Sequence, residues 1–232
     1  TAILWAVVAQ SLFTVNPALA AIGDADFEAE VDTLTQTTLS TGNELDILEA
    51  ANEVYLLRKG LMADANQFIN IHTWAISNDI TGLDTAVQLG AKVTLDDVEV
   101  NFLFDALAQL YVSPTMISGL RALGINTLAY VPQNIEQDDL LAYLLTGSHK
   151  KSMIVDSENH GLVAVGRNIG DDYFGEVSDA APGEFVDKWR DTDLLIRGPA
   201  TLLLQQDFVA SFNHLTNTPV GCSIDNASCN FY

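Results

Sequence analysis

The segment GSHKKSMIVDSENHGLVAVGRN, residues 147–168, holds Lys150, Lys151 and Arg167. These are three of only ten lysines and arginines in a 232-residue chain whose formal net charge is −21. The segment also holds His149 and His160, two of the four histidines. If SHKKSMIVD is a strand, residues two apart face the same side, so His149 and Lys151 share a face. An imidazole beside an ammonium group makes a site for an anion such as phosphate. Lysine, a compact cation, holds non-bridging phosphate oxygens. Histidine attacks phosphorus when neutral and protonates a leaving oxygen when charged. Asp156 closes the strand, where a carboxylate can orient an imidazole. Asn168 follows a second strand and offers an amide donor to another phosphate oxygen. A trigonal-bipyramidal phosphoryl transition state needs such donors held in place. The scarce cations are gathered where phosphate is to be met.

The rest of the composition narrows the reading. A sequence pI of about 4.1 argues against broad electrostatic binding of nucleic acid or anionic lipid, since both require a basic face. It leaves room for a small positive pocket in a solvated acidic surface suited to salty surroundings. With 48% hydrophobic and 18% charged residues the chain can bury a sizeable core. His72, inside the apolar strand FINIHTWAI, is read as a satisfied half-buried histidine rather than a catalytic one. The acidic runs LDDVE and GDD lack the spacing of a metal loop and are read as solvated turns. No metal and no other cofactor is expected.

Residues 1–20 end in Pro17 and Ala18-Leu19-Ala20 after an apolar run from Ala2 to Phe13. That pattern suits a secretory leader lacking its start, or a buried apolar helix, and the run is too short to span a bilayer. An exported or membrane-associated location in the cell envelope follows as the expectation. Residues 21–43 form an exposed polar lead-in, residues 44–215 the catalytic domain, and residues 216–232 a tail or the start of a further half. In the tail, Cys222 and Cys229 can close a short disulfide loop if the chain is exported. Asn226-Ala227-Ser228 fits a glycosylation sequon, a weak signal.

Periodicity predicts an amphipathic helix over 44–67, interrupted near Asn52, and a strand over 68–76. A turn at Asn78–Gly82 then leads into a short helix. A strand over 91–98 and helices over 100–110 and 114–123 follow, with Pro114 in a first turn. NTLAYVP is a strand, and 138–145 a helix. SMIVD and GLVAVG are strands, as is DTDLLIRGP, and a helix runs from Pro199 to His214. Strands alternating with helices give an α/β domain whose central sheet is mixed and mostly parallel, flanked by helices.

His149-x-Lys151-x-x-x-x-Asp156 resembles the H-x-K-x4-D motif of the phospholipase D superfamily, and Gly166-x-Asn168 resembles its following G-x-N element. VGRNIGDDYFG, NQFINIHTWAISNDITG and DTDLLIRGPATLLLQQDF are similar to segments of cardiolipin-synthase-like bacterial members. The resemblance runs over about residues 50–213. It implies a metal-free, two-step phosphodiester reaction through a phosphohistidine, with water or another alcohol as acceptor and phospholipid as substrate. By this likeness His149 is nucleophile or general acid, Lys151 and Asn168 hold phosphate oxygens, Asp156 supports the motif, and Gly166 permits close packing. The connector from Asp156 to Gly166 is about two residues longer than the pattern, and Val165 replaces its first glycine. Only one such motif is present, and His72, His160 and His214 lack the lysine and aspartate partners.

The second half-site must therefore come from a chain segment beyond this sequence or from a homodimer partner. The favoured expectation is the N-terminal half of a two-motif phospholipid enzyme. The alternatives are a homodimeric endonuclease, disfavoured by the acidity, and a non-catalytic phosphate-binding module.

Overall fold

The computed structural model describes residues 25–35, 41–131, 147–156, 162–174 and 189–217. The expectations for residues 1–20, the helix over 138–145, His160, Cys222, Cys229 and the sequon lie outside them. The chain divides into units Thr1–Thr41 and Gly42–Tyr232. In the first, helix α1 (Ala25–Thr35) lies in the stretch read as a lead-in.

The second unit carries, in order, β1 (Glu44–Leu48), α2 (Ala51–Asp64), β2 (Phe68–Thr73), α3 (Ile80–Asp96) and β3 (Glu99–Asp105). Then come α4 (Ala106–Val112), α5 (Pro114–Ala122), β4 (Asn126–Tyr130), β5 (Ser152–Val155) and β6 (Leu162–Val165). A one-turn α6 (Asp171–Phe174), β7 (Asp193–Arg197) and α7 (Ala200–Asn217) complete it. The seven strands form one sheet in the order β1-β7-β6-β5-β2-β3-β4. It is mixed, as expected, but its ladders are mostly antiparallel. Only β2–β3 and β3–β4 are parallel among the described strands.

Period-two alternation sends side chains to two layers. Ile69, Ile71, Val100, Phe102, Phe104, Met153 and Val155 pack with Val54 and Met62 of α2, Leu89 of α3 and Leu120 of α5. Leu103 and Ile154 face the other way, onto Phe208 and Leu215 of α7. Each such fully buried side chain contributes about 1.5–3 kcal/mol of transfer free energy. Asn70, Asn101 and Asn126 also face α7, joined side chain to side chain across β2, β3 and β4 and closed by Gln205. The buried Asn70 and Asn101 amides are thereby partnered.

Three element assignments change. Glu44–Leu48 is an edge strand, with Glu44 and Asp46 toward Arg197 and Leu45 and Ile47 exposed on the other face. The expected strand over 91–98 is mostly the last turns of α3, because Thr81, Thr85 and Leu89 continue one buried helical stripe. Asp79 caps that helix by accepting from Gly82 N at 2.9 Å. The expected helix over 100–110 begins as β3, buried on both faces. A continuous apolar run does not reveal its period.

Candidate functional site

The site gathers where β2 and β3 end and β5 begins. Asp105, the last residue of β3, is buried, and burial pushes its carboxyl up from the ordinary value. Its Oδ1 accepts from Ala108 N and its Oδ2 from Ser148 N, both at 2.9 Å. Beyond β2, Gln109 clamps both backbone groups of Ile76, and Ile169 bridges to the same stretch through Ala75 and Ser77. Strand β3 is thus tied to the segment before His149, and the chain just beyond β2 to the segment that carries Asn168.

His149 and Lys151 come together as expected from two-residue spacing. The buried Lys151 ammonium lies 3.1 Å from Nδ1 and 3.3 Å from Nε2 of His149, and donates to the His149 carbonyl at 3.1 Å. Burial and the neighbouring Lys151 charge hold the His149 imidazole below its ordinary 6.5, against the opposing pull of Asp105 and Asp191. Burial also lowers Lys151, and Asp191 opposes that too. The half-buried Trp74 ring meets the exposed His149 ring at 5.6 Å between centroids. A neutral imidazole beside an ammonium is a nucleophile with a ready counter-charge for an incoming anion.

Asp156 has a different place from the one expected. It ends β5 away from His149, in the left-handed region at φ 41°. Its carboxylate accepts from Asn66 N, Gln67 N and Phe68 N at 2.7–2.9 Å. It anchors the start of β2 rather than orienting an imidazole. The motif is therefore split between the two ends of one strand.

Asn168 is buried. Its Nδ2 donates to the Tyr173 hydroxyl at 2.9 Å, and its buried Oδ1 has no partner among the described residues. Gly166 has a specific reason to be glycine. A Cβ there would lie 1.7 Å from Oδ1 of Asp191. The Asp191 carboxylate occupies that space, and its charge reaches His149, Lys151 and Tyr173. Asp191, Asp105, Trp74 and Tyr173 were missed in the sequence. Asp191 lies on a connection with no regular pattern, and only the demand for a small residue at 166 hinted at a close neighbour. His72 has a partner, as expected, with Nε2 2.8 Å from the Ser148 hydroxyl, but it is fully rather than half buried. His214 lies on α7.

Gly166→Ala is expected to displace the Asp191 carboxylate at a cost of about 1–3 kcal/mol in stability. It should also lower the His149 pKa further, since Asp191 raises it. Titration of the imidazole by NMR checks this. An unchanged value would mean the carboxylate had not moved.

No family model matches the chain. It is 28% identical over 181 residues to the cardiolipin synthase of Geobacillus thermodenitrificans, covering 78% of this chain and 34% of that protein. It is 27% identical over 190 residues to cardiolipin synthase 2 of Bacillus cereus, covering 82% and 35%. The chain thus spans about a third of the length of these curated relatives. Its fold is similar to that of NucT from Helicobacter pylori, with a TM-score of 0.56 at 12% identity, covering 74% of this chain and 96% of that one.

Proposed function

We propose that this phospholipase D-like, cardiolipin-synthase-like chain supplies half of the active site of a phosphatidyl-transferring enzyme, with His149 as the nucleophile. The observation that carries the reading is the contact of Lys151 with both ring nitrogens of His149.

A phosphodiester oxygen arriving at Lys151 takes over donors that now face the imidazole and frees its lone pair. The neutral nitrogen attacks phosphorus, and an N–P bond forms as the bond to the leaving oxygen breaks. The leaving alkoxide takes a proton from an acid outside this motif, in the role of the second histidine. An acceptor alcohol, or water, then gives its proton to the same group as its oxygen attacks phosphorus and the N–P bond breaks. Lys151 balances the charge on the non-bridging oxygens. A half-turn of the Asn168 amide lets Tyr173 donate to Oδ1 and puts the NH2 group in the unpartnered place, adding two donors. Asp191 stabilises the imidazolium character that develops at His149.

This reading puts the protein at a membrane surface. Among the described residues no helix is long and apolar enough to cross a membrane. The second half-site comes from a further part of the protein or from a second copy.

The test uses the whole gene product on phosphatidylglycerol vesicles, with products followed by mass spectrometry. Cardiolipin with released glycerol, or phosphatidic acid where water accepts, is the expected result. Cleavage of single-stranded DNA with no lipid turnover would overturn the reading.

A further inference from the structure

Among the described residues, the exposed His149 ring makes its hydrogen-bonding and ring contacts with Lys151 and Trp74 alone. Its aim must then come largely from the backbone on which it stands. The residue that fixes that backbone is Ser148, and it is gripped twice. Its N–H is held by Asp105 at the end of β3, and its hydroxyl lies 2.8 Å from Nε2 of His72 on β2. These two holds come from neighbouring parallel strands, so the pair fixes both the position and the direction of the peptide leading into His149.

His72 suits this task. It is 4% exposed and stands opposite Ser152 in the β2–β5 ladder, so its ring is set by the sheet. With Asn70 it points to the α7 side, opposite the aliphatic side chains of Ile69 and Ile71. A charged imidazole there would add a cation beside Lys150 and Lys151, with Asp207 of α7 as the opposing charge. Burial and those lysines hold His72 down to about 4. It therefore stays neutral at working pH and offers Ser148 one ring nitrogen as either donor or acceptor.

We propose that His72 is a positioning residue for phosphoryl transfer, fixing through the Ser148 hydroxyl the backbone that aims His149. The proposal rests on the reading of His149 as the reacting group. His72 does not touch the reacting atoms and acts through Ser148.

The experiment compares Ser148→Ala, His72→Leu, His72→Gln and the double variant His72→Leu/Ser148→Ala in the whole protein. Turnover of phosphatidylglycerol vesicles is measured together with amide hydrogen exchange at Ser148 and His149. Ser148→Ala and His72→Leu are each expected to lower kcat about tenfold with KM changed by less than about twofold, because misaim costs rate rather than binding. The double variant should lose no more than the worse single, since both remove one contact. The His72→Gln variant places a side-chain amide near the Nε2 position and should restore kcat to within about threefold. Exchange at His149 should speed up in both Ser148→Ala and His72→Leu. Ser148→Ala leaves the core untouched, so unchanged exchange and kcat in that variant would overturn the proposal. Losses that add in the double variant would overturn it as well. Absence of turnover in the unmodified protein would count against the proposed function, while the exchange rates still decide the role of His72.

Discussion

His149→Ala is expected to lower phosphodiester turnover by about 10⁴-fold or more, because on the proposed mechanism it removes the atom that bonds to phosphorus. Stability should change by less than about 0.5 kcal/mol, since the ring is exposed. Lys151→Ala leaves the nucleophile but removes its counter-charge, and a loss of about 10²–10³ is expected. Single-turnover rates with denaturant unfolding curves separate the two effects. The pH profile carries a second check. In the proposed mechanism neutral His149 attacks, so the rate is expected to rise as pH climbs through the pKa of that group. Burial and Lys151 lower that pKa, which places the acid limb below pH 6.5. Lys151 must be charged and its pKa is also lowered, so the alkaline limb falls below 10.5. An acid limb above 6.5 would mean that a different group sets the active ionisation.

The pairing of His149 with Lys151 was legible because strand spacing is local: two residues apart is one face, wherever the strand sits. The place of Asp156 was not, because its partners are the N–H groups of residues 66–68, about ninety positions away in sequence. Nothing near Asp156 announces three unpaired donors at the start of β2. Asp191 was hidden for the same reason, as its meaning lies in the missing Cβ of Gly166. Among the elements, α5 and β4 were readable from Pro114 at the start of one and Pro132 just past the end of the other, whereas β3 was not. Its side chains are buried on both faces, and the alternation that marks a strand is erased when both faces are dry. The parallel bias expected of the sheet failed at β5, β6 and β7. Only residues 156–161 separate β5 from β6, too few for a crossover helix, so these two strands pair antiparallel.

Asp193→Asn is expected to cost about 3–5 kcal/mol, because it leaves the buried Arg167 guanidinium without its carboxylate and removes the negative charge that Arg58 feels. Arg167 and Asp193 pair at 2.8 Å with side chains 1% and 0% exposed. Arg58 feels the same carboxylate and repels Arg167, and burial draws its pKa down to about 10, so it remains charged at neutral pH. Burial pushes the Asp193 carboxyl up even though both arginines oppose the shift. Asp191 adds to that upward push. Arg167→Met should cost less, because Asp193 still feels the charge of Arg58 and its carboxyl, already raised by burial, can take up a proton. It should still impair the site, since Arg167 also donates to the carbonyls of Glu49 and Asp191 and stands between Gly166 and Asn168. The double variant Arg167→Met/Asp193→Asn removes one cation with the anion, leaving a single buried charge. It should unfold at a higher denaturant concentration than Asp193→Asn alone, with a coupling of about 1 kcal/mol or more. Additive losses in that cycle would mean that Asp193 answers chiefly to Arg58. Recovered stability without recovered turnover would place the role of Arg167 in holding Asp191 against Gly166.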